Sequence, residues 1–151
     1  MTEKGRVAGI DYGTVRIGVA ISDPDRIIAS PCENYTRKNE ASDARFFRHF
    51  VEQEHVVQFV VGFPVHLDGR LSEKARESLQ FGKWLNEITG VPVDYYDERY
   101  TSVEAERLMI DADLSRKKRK RRLDKVAAQI LLSGYLESGC RGTPHPPALD
   151  E

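Results

Sequence analysis

Short apolar runs and longer apolar stripes alternate along this chain, and their periods predict an order of elements. Residues 7–11, V-A-G-I-D, form an apolar run that closes on Asp11, and residues 16–22, R-I-G-V-A-I-S, form a second. Tyr12-Gly13-Thr14 breaks them with a turn glycine, so the pair predicts a β-hairpin. Asp23-Pro24-Asp25 is a further turn, since proline cannot continue a ladder. Residues 27–31 predict a third strand returning beside the second, and the polar residues 34–39 predict a loop. Phe46, Phe47, Phe50 and Val51 then share one side of a helix over residues 41–53.

The run V-V-Q-F-V-V at residues 56–61 is nearly continuous, as in a strand covered on both faces. Phe81, Trp84, Leu85 and Ile88 stand at helical spacing within residues 72–89, and Gly90 predicts the stop. Residues 91–96 predict another strand, with Pro92 near its start pointing to an edge position. Thr101 and Glu104 make a capping-box pattern ahead of Ala105, Leu108, Met109 and Ala112. The last helix is predicted to open at Leu123, with Val126, Ala127, Ile130, Leu131 and Tyr135 on one side. The order β-β-β-α-β-α-β-α-α predicts an α/β fold, a mixed sheet with helices on its faces. No internal repeat or linker divides it, so residues 1–138 are expected to form one domain. The Gly- and Pro-rich residues 139–151 are expected to be a disordered tail.

Composition narrows the class. Of 151 residues 40% are hydrophobic and 31% charged, which suits a soluble globular domain with a sizeable core. No apolar run approaches the ~20 residues of a membrane span, and the first residues carry no export signal. Cys32 and Cys140 lack metal-ligand spacing, so reduced thiols and a cytoplasmic location are expected. Net charge is −1, but its distribution is uneven. Arg116, Lys117, Lys118, Arg119, Lys120, Arg121 and Arg122 are consecutive on an acidic background, a candidate for binding a polyanion. The plain alternative is a solvated charge run between two helices.

Ligands of such sheets bind beyond the carboxyl ends of the strands. Asp11 ends the first predicted strand, Asp97 and Glu98 directly follow the strand at 91–96, and Asp124 falls in the first turn of the predicted last helix. Each has an ordinary reading, as a turn residue or a helix-dipole partner. Together they would repel one another unless a cation neutralised them. Carboxylate oxygens suit Mg²⁺ or Mn²⁺, and two such ions roughly 4 Å apart can activate water and stabilise the leaving oxygen of a phosphodiester. A basic strip beside such acids is what a nuclease requires. His49 and His55 read as surface residues, and His66 and His145 complete no ligand pair.

The blocks G-I-D-Y-G-T-V-R-I-G-V-A-I-S-D, V-V-G-F-P-V-H-L-D-G, D-E-R-Y-T-S and L-D-K-V-A-A-Q-I-L-L resemble, in order, the four signature blocks of the YqgF family in the ribonuclease H-like superfamily. The resemblance implies a five-stranded mixed sheet of order 3-2-1-4-5, strand two antiparallel to the rest, with helices on both faces. It implies that Asp11, Glu98 and Asp124 are the catalytic acids and metal ligands, with Asp97 a secondary ligand candidate. The basic residues 116–122, with Arg16, Arg99 and Lys125, are the implied nucleic-acid contacts. Tyr100 replaces a frequent Leu and His66 a frequent Asn, neither at a catalytic position. The implied activity is a nuclease maturing the 5′ end of pre-16S ribosomal RNA, with RNA and possibly the ribosome as partners. The runner-up is a Holliday junction resolvase acting on four-way DNA junctions.

G-I-D-Y-G-T also resembles the first phosphate loop of the actin, heat-shock chaperone and sugar-kinase superfamily, but such ATPases close two domains over a nucleotide and 151 residues hold one. A non-catalytic nucleic-acid or ribosome-binding module is a third class, against which the three intact acids argue. The expectation is a metal-dependent RNA phosphodiesterase, monomeric or weakly dimeric, with no membrane partner.

Overall fold

A computed structural model describes residues 5–63, 73–97 and 116–140, with the side chains of residues 116–125 outside that description. Five strands form one sheet: β1 (Arg6–Asp11), β2 (Arg16–Ser22), β3 (Ala29–Thr36), β4 (Val56–Phe63) and β5 (Val93–Asp97). Their order is β3-β2-β1-β4-β5. β2 runs antiparallel to both β1 and β3, while β1, β4 and β5 run parallel. The described helices are α1 (Glu40–Glu54), α2 (Glu73–Thr89) and α3 (Arg116–Glu137).

The pleat divides the core in two. Ala8, Ile10, Ile17, Val19, Phe59 and Val61 pack with Phe47 and Phe50 of α1 and Phe81 and Leu85 of α2. Val7, Ala20 and Val60 face the other way, onto Ala128, Leu132 and Tyr135 of α3. β4 is therefore covered on both faces, which is why its sequence is apolar almost throughout. Gly90 ends α2 at φ +74°, where an L side chain would be strained, and its N–H donates to the Asn86 carbonyl.

Several boundaries differ from those the sequence predicts. β3 continues through Thr36, where a loop is expected, because the β2 ladder extends to Arg16↔Thr36. It is an edge strand with mostly exposed residues, so no apolar alternation marks it. β5 begins at Val93 rather than residue 91, since Pro92 lacks an N–H; its carbonyl instead accepts from Phe59 N–H. Asp97 is the last residue of that strand rather than part of the loop beyond it. The largest difference is at α3. The basic residues 116–122 form its first two turns instead of a linker, and Asp124 falls in its third turn instead of its first. On α3 the buried line includes Ala128 and Leu132, while Ala127 is only half-buried. The predicted helix from Thr101, the loop with His66, and the tail from residue 141 lie outside the described residues.

Candidate active site

β1, β4 and β5 are parallel, so Asp11, Phe63 and Asp97 all stand at the same edge of the sheet. Asp11 is half-buried and pairs with Gly18 across the hairpin. Successive β residues alternate faces, so Asp11 shares the face of Val7 and Gly9, the face α3 covers. Gly9 sets how closely: a Cβ there would stand 2.9 Å from Leu132 Cβ and 3.0 Å from the Ala128 carbonyl oxygen. Glycine is thus required where α3 crosses β1.

That crossing bears on two of the candidate acids. Val7 shares one cluster with Ala128, Leu132 and Tyr135, and Gly9 meets Leu132 and Ala128, so α3 lies against β1 through this stretch. Two further strand residues advance ~6.6 Å, and one further helical turn of four residues retreats ~6 Å. Asp11 and position 124 thus stand at similar distances from the crossing at Gly9. Asp97 is placed differently. It pairs with Phe63, whose side chain packs with Ala75 and Leu79 of α2 and with Tyr95. The pleat thus sets Asp97 on the face opposite Asp11. Glu98 and Arg99 lie outside the described residues, as do the side chains of Asp124, Lys125 and the basic run. Among the described residues no three His, Cys, Asp or Glu side chains gather at one point.

Arg16 opens β2 on the exposed side of the hairpin turn. That turn is closed tightly at Gly13, where a Cβ would meet the Arg16 carbonyl oxygen at 2.3 Å. Tyr12, next to Asp11, is gripped from the other sheet face. Its ring lies 4.9 Å from that of Phe81, and the Arg37 guanidinium sits 5.3 Å from its centroid while donating to its hydroxyl at 2.9 Å. Arg37 N–H also donates to the Val15 carbonyl, and its Nε reaches Asp43 Oδ2 at 3.4 Å.

Asp43 is only 2% exposed. Its Oδ1 accepts from the Tyr35 hydroxyl at 2.7 Å and from Lys38 N–H at 3.1 Å. Burial pushes its carboxyl upward, but those donors and the Arg37 guanidinium outweigh burial and hold it below the ordinary value. Burial first, and then the Asp43 carboxylate, push the Tyr35 hydroxyl up to about 12. This network around the turn was not anticipated from sequence. One signal was available: Asp43 stands four residues before Phe47, on the apolar side of its own helix.

Residues 5–138 match the family described as RuvX, Holliday junction resolvase. The chain belongs to this family. The four motif blocks had pointed to it under the name YqgF. Among curated relatives, a "Putative pre-16S rRNA nuclease" of Rhodopirellula baltica is 48% identical over 137 residues, covering 91% of this chain and 79% of that protein. One of the same name from Halothermothrix orenii is 44% identical over 131 residues, covering 87% and 94%. Among solved structures, Thermus thermophilus RuvC in complex with a Holliday junction substrate superimposes at a TM-score of 0.59 with 17% identity, over 91% of this chain and 98% of that one. The fowlpox virus resolvase bound to Holliday junction DNA gives 0.56 with 11% identity, over 90% and 99%. Identities this low establish the fold, a ribonuclease H-like mixed sheet of the order the motif resemblance implies. Among the described residues no helix is long and apolar enough to cross a membrane.

Proposed function

We propose that this RuvX-family chain is a divalent-metal-dependent nuclease that cuts single-stranded RNA, with the 5′ end of precursor 16S ribosomal RNA as its substrate. Asp11, Glu98 and Asp124 are its acids. The observation that carries the reading is the close crossing of α3 over Gly9, two residues before Asp11, at Ala128, four residues after position 124. The names of the relatives support the substrate class.

The donor set fits a hard cation. All three acids offer carboxylate oxygens, and three carboxylates brought together would repel one another without a cation. No thiol competes: Cys32 is exposed on the far edge strand and Cys140 lies beyond the other end of α3. Bound Mg²⁺ or Mn²⁺ would supply an acidified water and charge stabilisation at phosphorus. The protein's own groups bind and orient. The basic turns of α3 hold the phosphate backbone, Arg16, Arg99 and Lys125 are further nucleic-acid contacts, and the acids hold the metal. In-line attack of water on phosphorus breaks the bond to the 3′ oxygen, leaving a 5′-phosphate and a 3′-hydroxyl. Asp97 belongs to the opposite face and is the weaker ligand candidate.

The basic turns give independent support for a polyanion. Seven cations at the start of a helix oppose its dipole and one another. An RNA backbone relieves both.

Asp11→Asn keeps the shape and removes a charged ligand oxygen, so Mn²⁺-dependent cleavage of a precursor rRNA fragment should fall by orders of magnitude in a folded protein. Parental cleavage by the variant would make Asp11 a turn residue and end this reading. The family description and the RuvC-like fold favour junction resolution as the second reading. Paired symmetric cuts in a four-way DNA junction, with no cleavage of the rRNA fragment by the same preparation, would establish that one instead.

A further inference from the structure

On the α1/α2 face, just past Tyr12, lies a cleft of about 790 Å³ between the hairpin turn, the entry to α1 and the exposed side of α2. Asp11 faces the other side of the sheet and does not line it. Three features distinguish it from an ordinary surface furrow. Trp84 forms part of its wall, half-buried, with its ring 5.4 Å from Phe81 and its Nε1–H donating to Glu40 Oε1 at 3.3 Å. The segment bearing Arg37 and Lys38 is held by the buried Asp43. Burying a carboxylate is costly unless it is paired and hydrogen-bonded, and Asp43 meets that condition only with this segment in place. The remaining wall mixes acceptors and donors at Glu77, Gln80 and Asn39.

That mixture suits a nucleobase better than a run of phosphates, for which a uniformly basic wall would serve. Unpaired bases are recognised by stacking on an aromatic ring and by hydrogen bonds to their edges. The volume lies within the range of small-ligand sites, and one nucleotide fills a good part of it. Tyr12 joins the cleft to the candidate active site, because it follows Asp11 directly and lines the cavity. A strand leaving the acids has only the hairpin turn to cross.

We propose that this cleft receives one unpaired nucleotide from the flank of the nucleic-acid substrate, its base against Trp84 with Gln80 and Glu77 at its edge, and its phosphate at Arg37 and Lys38. The proposal rests on the nuclease reading above and adds a base-reading subsite to it. The basic turns of α3 would then hold the backbone without regard to sequence, and the cleft would give a preference at one flanking position.

Trp84 is the chain's one tryptophan and therefore a direct reporter. The parent protein is titrated with a single-stranded RNA oligonucleotide, an abasic oligonucleotide of equal length and an oligolysine peptide. Tryptophan emission and the anisotropy of a 5′-labelled strand are followed together. RNA should quench Trp84 saturably over the same range in which anisotropy rises, whereas the abasic strand should bind with little quenching. Trp84→Ala should weaken RNA binding by about tenfold, as expected for the loss of one stacked base. Trp84→Phe, which keeps a ring, should stay within about threefold of the parent. Since Trp84 also packs on Phe47 and Phe81, Gln80→Ala at an exposed position provides a variant whose folding is not at risk; it should weaken binding of the preferred base and leave the abasic strand unaffected. RNA that binds by anisotropy with Trp84 silent, and equal affinity in Trp84→Phe, Gln80→Ala and the parent, would overturn the subsite and leave the nuclease reading standing. Quenching by oligolysine and not by RNA would overturn it in favour of a protein-docking cleft. Failure of the nuclease reading itself would show separately, as absence of Mn²⁺-dependent cleavage whether or not the strand binds.

Discussion

Replacing Gly9 by alanine tests the crossing on which the proposed site depends. The added methyl would sit 2.9 Å from Leu132 Cβ and 3.0 Å from the backbone oxygen of Ala128. Neither is the tip of a flexible side chain, and carbon atoms are comfortable at about 3.5–4.0 Å. α3 must therefore move off β1 by roughly 0.5–1 Å. Overpacking of this kind costs about 1–3 kcal/mol, and for a chain of this size each kcal/mol lowers the melting temperature by about 2–4 °C. The same displacement moves position 124 away from Asp11, and a misplacement near 1 Å can lower turnover by ~10²-fold. Gly134→Ala is the matched control. Its methyl would meet only the ring edge and hydroxyl of Tyr96 at 3.2 Å, and alanine favours the helix by up to ~1 kcal/mol. Urea melts and Mn²⁺-dependent cleavage rates on the parent and both variants are the assay. Gly9→Ala should be less stable and much slower, with Gly134→Ala close to the parent in both. A Gly9→Ala protein with parental stability and parental turnover would refute the crossing as the device that assembles the site.

Three further outcomes can be measured. The basic turns of α3 occupy seven successive helical positions and so face all directions around the axis. Changing Lys117, Lys118, Arg119 and Lys120 to Ser should therefore flatten the plot of log K against log salt for single-stranded RNA by roughly one to two units, fewer than the approximately three expected if all four met phosphate; equal slopes would remove these turns from binding. Asp43 has a lowered carboxyl pKa in the fold, so its contribution is complete above the unfolded value of about 3.9 and disappears as pH falls through the lower folded value. Asp43→Asn should accordingly lose about 1–3 kcal/mol at neutral pH, with a gap from the parent that narrows below pH ~4 in melts taken across acid pH; a pH-independent gap would contradict the carboxylate's role. Light scattering should find a monomer or weak dimer, because single-strand cleavage needs one site; a tight two-fold dimer would favour the resolvase reading.

The apolar pattern was sufficient for the elements whose burial is one-sided or complete. The stripe of Phe81, Trp84, Leu85 and Ile88 faces the core as its spacing requires, and β4 is buried as its unbroken run requires. The motif blocks carried the family and the strand order. What they could not carry was register, because a periodic pattern says which residues share a face but not which partner lies opposite. β3 is long because β2 supplies a ladder, although its own residues show no alternation. α3 starts at Arg116 despite the repulsion of its cations, and this moves Asp124 from a first turn to a third. Asp11 and Asp97 look equivalent in sequence, each closing a strand, yet the pairing of Phe63 with Asp97 and the packing of Gly9 beneath Ala128 put them on opposite faces. A carboxylate's chemistry depends on the side of the sheet it reaches and on its neighbours there. Those depend on pairings between residues far apart in the chain, which only the folded structure brings together.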